Sequence, residues 1–158
     1  MPQQTRTLRC DSPEATHALA TALARVLEPG DTVLLEGPVG AGKTHFARGV
    51  ILALLDVAED VPSPTYTLVQ AYLGRKSEIW HTDLYRLTDV SELEELGLFD
   101  AFESAICLVE WPDRLGQERP GNALLVTLHC PGPELERDVT FSWTAEKWHR
   151  RLEELFHG

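Results

Sequence analysis

The chain is short of positive charge, of paired cysteines and of long apolar runs, and each shortage removes a class of function. Lys and Arg number 14 against 25 Asp and Glu, a formal net charge of −11. A domain that grips nucleic acid by itself needs clustered cations against phosphate, so independent RNA or DNA binding is disfavoured. The three cysteines, Cys10, Cys107 and Cys130, lie far apart with no C-x-x-C pair. Neither a zinc site nor a disulfide framework is indicated, and reduced thiols are expected, with Cys107 in the core. The longest apolar run, Val50 to Leu55, is far too short to span a bilayer, and Met1 to Cys10 lacks the apolar stretch of a signal peptide. A cytoplasmic protein with no membrane role is the expectation. Nothing repeats, and no break in composition divides the 158 residues, so one domain over 1–158 with its own core is expected.

What the chain does have is centred on Gly37 to Thr44, G-P-V-G-A-G-K-T, which fits the phosphate-loop pattern G-x-x-x-x-G-K-[ST]. Thr32 to Glu36 before it reads as a buried strand. His45 to Leu55 after it carries Phe46, Val50 and Leu54 at helical spacing. A triphosphate must be met by donors held close and at fixed angles. Gly37, Gly40 and Gly42 let backbone N–H groups come that close, with the positive end of the following helix behind them. The loop residues Val39, Gly40, Ala41, Gly42, Lys43 and Thr44 are therefore candidates to cradle a nucleotide. Lys43 is placed to reach the β- and γ-oxygens, and the Thr44 hydroxyl to ligate Mg²⁺.

Upstream, Ser12 and Pro13 mark a helix start, and a helix to about Leu27 is expected to bury Ala15, Leu19, Ala22, Leu23 and Val26. Thr16 and His17 could face a base but read better as surface. Downstream, Ser63-Pro64-Thr65-Tyr66-Thr67 offers three hydroxyls entering a strand over Leu68 to Tyr72, either a γ-phosphate sensor or an ordinary loop. Gly74 to Lys76 reads as a hairpin tip and Glu78 to His81 as the returning strand. That places Asp83 just past a strand end, where metal and water chemistry occurs in α/β sheets, unless it caps the following turn. Ser91-Glu92-Leu93-Glu94 reads as a capping box opening a helix that buries Leu93, Leu96, Phe99 and Phe102.

Ile106 to Val109 is a continuous apolar run ending in Glu110, the pattern of a strand buried on both faces. An ionised Glu there is costly unless a cation meets it, and Mg²⁺ beside Thr44 would do so. Trp111 is read as core in preference to a nucleotide contact. Ala123 to His129 and Asp138 to Trp143 read as two antiparallel strands, followed by an amphipathic helix with Ala145, Trp148, Leu152 and Leu155 on one face. Arg137 either stacks on an adenine ring or, as favoured, stays solvated. His149 and His157 read as surface.

The fold expectation is α/β: a P-loop NTPase with three α/β/α layers and a mixed, mainly parallel central sheet edged by antiparallel strands. With no N-K-x-D motif to read guanine, ATP is the expected nucleotide. Only Arg150-Arg151 clusters arginines as a kinase lid would, so hydrolysis, with water positioned by Asp83 or Glu110, fits better than transfer to a metabolite.

Five motifs now carry a resemblance: G-x-x-G-A-G-K-T at 37–44, S-P-T-Y-T-L-V at 63–69, H-x-D-L-Y-R-L at 81–87, E-L-x-x-L-G-L at 92–98 and L-V-E-W-P at 108–112. In order and spacing they resemble the TsaE (YjeE) family across about half the chain. The resemblance implies the small ATPase of the bacterial machinery that installs threonylcarbamoyl on adenosine 37 of tRNA, working with TsaD and TsaB homologues that would hold the tRNA. It implies ATP bound by Val39 to Thr44, Mg²⁺ held by Thr44 and Glu110, a nucleotide-sensing switch at Ser63 to Thr67, and a need for Asp83 and Trp111 in activity. Lys43, Asp83 and Glu110 are thereby the expected catalytic set. Two positions depart from the family habit: Pro38, often Asp, which removes one loop N–H, and His45, often Thr or Ser. A small-molecule kinase and a nucleotide-gated binding module are the alternatives.

Overall fold

A computed structural model describes residues 2–62, 68–132 and 135–157, the last of these without its side chain. Within them the order is β1 Gln4–Cys10, α1 Pro13–Val26, β2 Thr32–Glu36, α2 Lys43–Leu54, β3 Val69–Leu73 and β4 Glu78–Asp83. It continues with α3 Ser91–Leu96, α4 Leu98–Ser104, β5 Ile106–Glu110, a 3-10 segment Pro112–Glu118, β6 Leu124–His129, β7 Arg137–Trp143 and α5 Glu146–His157. The Ser63 to Thr67 stretch read as a switch lies outside the described residues, as does the side chain of His157.

The seven strands form one sheet in the order β1-β7-β6-β2-β5-β4-β3. Strands β6, β2, β5 and β4 run parallel. The pairs β1/β7, β7/β6 and β4/β3 are antiparallel. The expectation of a mainly parallel sheet is therefore corrected: half of its pairings are antiparallel. The difference lies in β1, which the sequence reading missed. Its residues are mostly polar and exposed, with only Leu8 and Cys10 turned inward, so no apolar alternation announces it. It is held as an edge strand by seven-residue pairing with β7.

β5 is buried along its whole length, as its apolar run requires. Its alternate side chains enter two cores. Val33, Leu35, Ile106 and Leu108 pack with residues of α1, α2 and α5, among them Leu23, Phe46, Ile51 and Trp148. Leu34, Cys107 and Val109 pack on the other face with Leu93, Leu98 and Leu115. Helices on both faces of the sheet make the three layers expected. Burial pushes the Cys107 thiol up to about 12, so it behaves as an inert apolar side chain.

Local rules explain most boundaries, and packing explains the exceptions. Ser12 caps α1, its hydroxyl accepting from the Ala15 N–H at 3.1 Å. The helix is rotated from the expected face. Thr16, Ala20, Leu23 and Ala24 are buried, while Ala15, Leu19 and Val26 are only partly covered. Close approach to α2 decides this: a Cβ on Gly49 would sit 3.0 Å from the Cβ of Ala20, so the small side chains must face each other. The helix expected from Ser91 is two short ones, broken at Gly97 (φ 85), and Leu96 is 44 % exposed instead of buried. Ser91 is its first residue, not its cap; Asp89 supplies the acceptor, its carboxylate taking the Ser91 N–H at 3.0 Å.

At the N-terminal end of β2, Asp31 is 1 % exposed. Its carboxylate meets Lys147 at 2.7 Å, Arg151 of α5, and the Glu28 N–H at 2.7 Å. Arg151 is thus committed to the sheet end opposite the glycine-rich loop and supplies no lid over it. Among the described residues no helix is long and apolar enough to cross a membrane.

Candidate functional site

The glycine-rich loop joins the C-terminal end of β2 to α2, and its backbone could be built from few other residues. Gly37 has φ 150, and a Cβ there would lie 2.7 Å from the Leu128 carbonyl oxygen. Gly42 has φ 98 and is followed at once by the helix, so the first N–H groups of α2 have no partner within the helix. Strands β4 and β5 end beside the loop, with Asp83 and Glu110 level in register. A cleft of about 430 Å³ opens there, lined by Val39, Gly40, Gly42, Lys43, Thr44, Asp83 and Glu110 of the expected set. His45, Tyr85, Arg86 and Trp111 complete its walls. Gly37 and Ala41 do not line it: Gly37 packs beneath, and Ala41 is buried.

Glu110 is 2 % exposed, and both its oxygens are engaged. The Thr44 hydroxyl donates to Oε1 at 2.7 Å, and His81 Nε2 lies 2.7 Å from Oε2. Because a carboxylate only accepts, His81 carries its proton on Nε2 in this contact, and its buried Nδ1 has no partner among the described residues. Sequence reading quoted His81 within a motif without giving it work. Only its place two residues before Asp83, on the strand beside Glu110, could have signalled it, since alternate residues share a face.

Lys43 is buried, and its ammonium donates to the carbonyls of Gly37 at 2.5 Å and Pro38 at 3.0 Å. It also lies 4.2 Å from the centre of the Trp111 ring. Burial holds its pKa below the usual lysine value, against the opposing pull of Glu110 and Asp83. Asp83 is shifted the other way. Burial raises it, the hydrogen bond from the Tyr85 N–H at 3.0 Å opposes this, and nearby Glu110 adds to the rise. Asp83 is the last residue of β4, not one beyond it, and it both lines the cleft and caps the turn. The two readings offered for it are compatible.

Trp111 corrects an expectation. It is only partly buried against the second core: it turns out of β5 in the left-handed region (φ 59), meets Tyr85 ring to ring at 5.0 Å in a tilted arrangement and also forms a wall of the cleft. Arg137 corrects another. Its guanidinium is not left to solvent but donates from Nε to the Ala41 carbonyl at 2.8 Å. It borders a second recess of about 170 Å³ with Pro13, Thr16, Ala41, Gly42, His45 and Leu135. His149 is exposed, as expected, 3.5 Å from Glu153. Of the two unusual loop residues, Pro38 offers its carbonyl to Lys43 and to the Ala41 N–H, and His45 borders both recesses.

Thr44 and Glu110 present two hard oxygens side by side, which suits Mg²⁺. Among the described residues, no group of three or more His, Cys, Asp and Glu could hold a metal by itself.

The sequence profile described as "Threonylcarbamoyl adenosine biosynthesis protein TsaE" matches residues 10–139. The chain is 36 % identical over 148 residues to the tRNA threonylcarbamoyladenosine biosynthesis protein TsaE of Bacillus subtilis, covering 93 % of this chain and 91 % of that one. With the TsaE protein of Treponema pallidum it shares 35 % identity over 124 residues, 77 % of this chain and 90 % of the other. The crystal structure of B. subtilis YdiB superposes with a TM-score of 0.79 at 28 % identity, covering 99 % of this chain and 97 % of that one. The chain belongs to the TsaE family of threonylcarbamoyl adenosine biosynthesis proteins.

Proposed function

We propose that this chain is a Mg²⁺-dependent ATPase of the P-loop class that serves tRNA threonylcarbamoyladenosine biosynthesis at position 37 in the cytoplasm, acting with TsaD and TsaB homologues. The observation that carries the reading is the Thr44–Glu110 pair at 2.7 Å beside Lys43, at the ends of two adjacent parallel strands. Backbone donors of the loop and of the first turn of α2 meet the phosphates, and Lys43 adds a full charge in a poorly hydrated setting. Thr44 and Glu110 would hold magnesium, which when bound neutralises charge on the phosphates. His81 fixes the free rotation of Glu110, so that one oxygen stays turned to Thr44. Asp83, beside Glu110 and open to the cleft, is the residue to position the attacking water. The second recess, adjoining the loop through Gly42, receives the nucleoside. The net charge of −11 leaves tRNA to the partners.

Phosphate release from Mg-ATP by the purified chain, alone and with TsaB and TsaD homologues added, tests this. Stimulation by the partners is expected. Release indifferent to them, or a γ-phosphate passed stoichiometrically to a metabolite, would overturn it. Lys43→Ala should weaken ATP binding by roughly 10- to 100-fold, the worth of a lost charge-assisted hydrogen bond or two. Unchanged affinity in calorimetry would remove the phosphate-loop assignment.

A further inference from the structure

Arg137 opens β7, on the far side of the loop from Lys43, and 96 residues of chain separate it from the carbonyl it holds. Its Nε donates to the Ala41 carbonyl at 2.8 Å, its Nη2 to the Gly40 carbonyl at 3.5 Å and its Nη1 to the Glu136 carbonyl at 2.8 Å. One rigid fork therefore grips two successive peptides of the loop and ties them to the start of β7.

We propose that Arg137 is a positioning residue for phosphate binding, which sets the orientation of the Ala41–Gly42 peptide; the inference rests on the phosphate-loop reading above. In a planar trans peptide the C=O and the following N–H point in opposite directions. With the Ala41 carbonyl drawn to Arg137, the Gly42 N–H is turned away from β7, toward the side where Lys43 and Thr44 line the main cleft. Gly42 borders both recesses, so this peptide is the partition between them. Glycines on either side of Ala41 leave the peptide free to flip, and a flip would present a carbonyl to the phosphates where a donor is needed. Arg137 removes that freedom. Lysine, with one flexible point charge in place of a planar fork, could not fix the Ala41 and Gly40 carbonyls in set directions while also holding the Glu136 carbonyl.

The alternative role, stacking on the base of a nucleotide, predicts something different, because inorganic tripolyphosphate has no base. Calorimetric titration of the full chain with tripolyphosphate and with ATP should show Arg137→Ala weakening both by about the same factor, roughly tenfold for the loss of one charged hydrogen bond. Arg137→Lys should fall nearly as far, with melting temperatures close to wild type. Should the alanine variant fail to fold, the lysine variant carries the test. Amide hydrogen exchange across residues 38–44 should speed up in either variant without ligand. A loss of ATP affinity with tripolyphosphate affinity intact would overturn the inference in favour of base contact. Full rescue by lysine would overturn it in favour of charge alone. If wild type binds both probes and the variants match it, only this inference fails. If wild type binds neither, the phosphate-loop reading fails and takes this one with it.

Discussion

A buried carboxylate stands beside each end of β2, and the two are built in opposite ways. Asp31, before the strand, is 1 % exposed and closed off by Lys147, Arg151 and a backbone N–H. Glu110, level with the far end of β2 on the neighbouring strand, is 2 % exposed and, among the described residues, is met by a hydroxyl and an imidazole. The nearest lysine, Lys43, donates instead to loop carbonyls. Burial is the same; the charge balance is not. At one end the cations belong to the chain and the cluster fastens α5 to the sheet. At the other no described lysine or arginine pairs with the carboxylate, and in the proposed reading a ligand with its metal would supply the charge. Equal burial therefore separates a carboxylate neutralised within the chain from one proposed to meet a ligand only when the partners are counted.

The comparison breaks most visibly if the charge at the second end is removed. Glu110→Gln should cost turnover by at least about 100-fold, an effect of the size seen when a preorganised charged group is lost, while stability changes by less than about 1 kcal/mol. Phosphate release and thermal melting on the same sample would check both halves. Wild-type turnover would make Glu110 a second Asp31.

Asp31→Ala should do the reverse. Stability should drop by about 3 kcal/mol in urea unfolding, since two cations and a buried N–H lose their acceptor, with ATP affinity unchanged. A loss of affinity without a loss of stability would dissolve the contrast between the ends.

The effect that is smallest at neutral pH concerns the strand that links the two. The Cys107 thiol is raised from 9.0 to about 12 by burial. Between those pH values the unfolded chain releases a proton that the folded chain keeps, so stability falls as pH rises, by up to about 1.4 kcal/mol per pH unit. Below pH 9 this contribution is constant. Cys107→Ala should flatten the slope of stability against pH over that window, and an unchanged slope would show that Cys107 is not the source.

The legible parts of the molecule were those where one local rule speaks without competition. The glycine-lysine-threonine pattern, the apolar run of β5 ending in a carboxylate, and the Ser12–Pro13 helix start each depend on a few adjacent residues. The capping box at Ser91 misled because Ser91 is already the first residue of the helix, its N–H taken by Asp89. β1 escaped because an edge strand can be polar along most of its length, its identity residing in β7. α1 was turned from its expected face by Gly49, a residue of another helix.

By itself the sequence determined the α/β alternation, the place of the glycine-rich loop between β2 and α2, and the pairing of that loop with a carboxylate at the end of β5, because strand, turn and helix signals are short-range. Only the tertiary structure decided that His81 holds Glu110, that Trp111 faces Lys43, that Arg137 grips the loop and that Arg151 belongs to Asp31. Those contacts join residues from 29 to 120 positions apart in the chain. Strand order and helix packing bring them together, and no local pattern of side chains encodes that order.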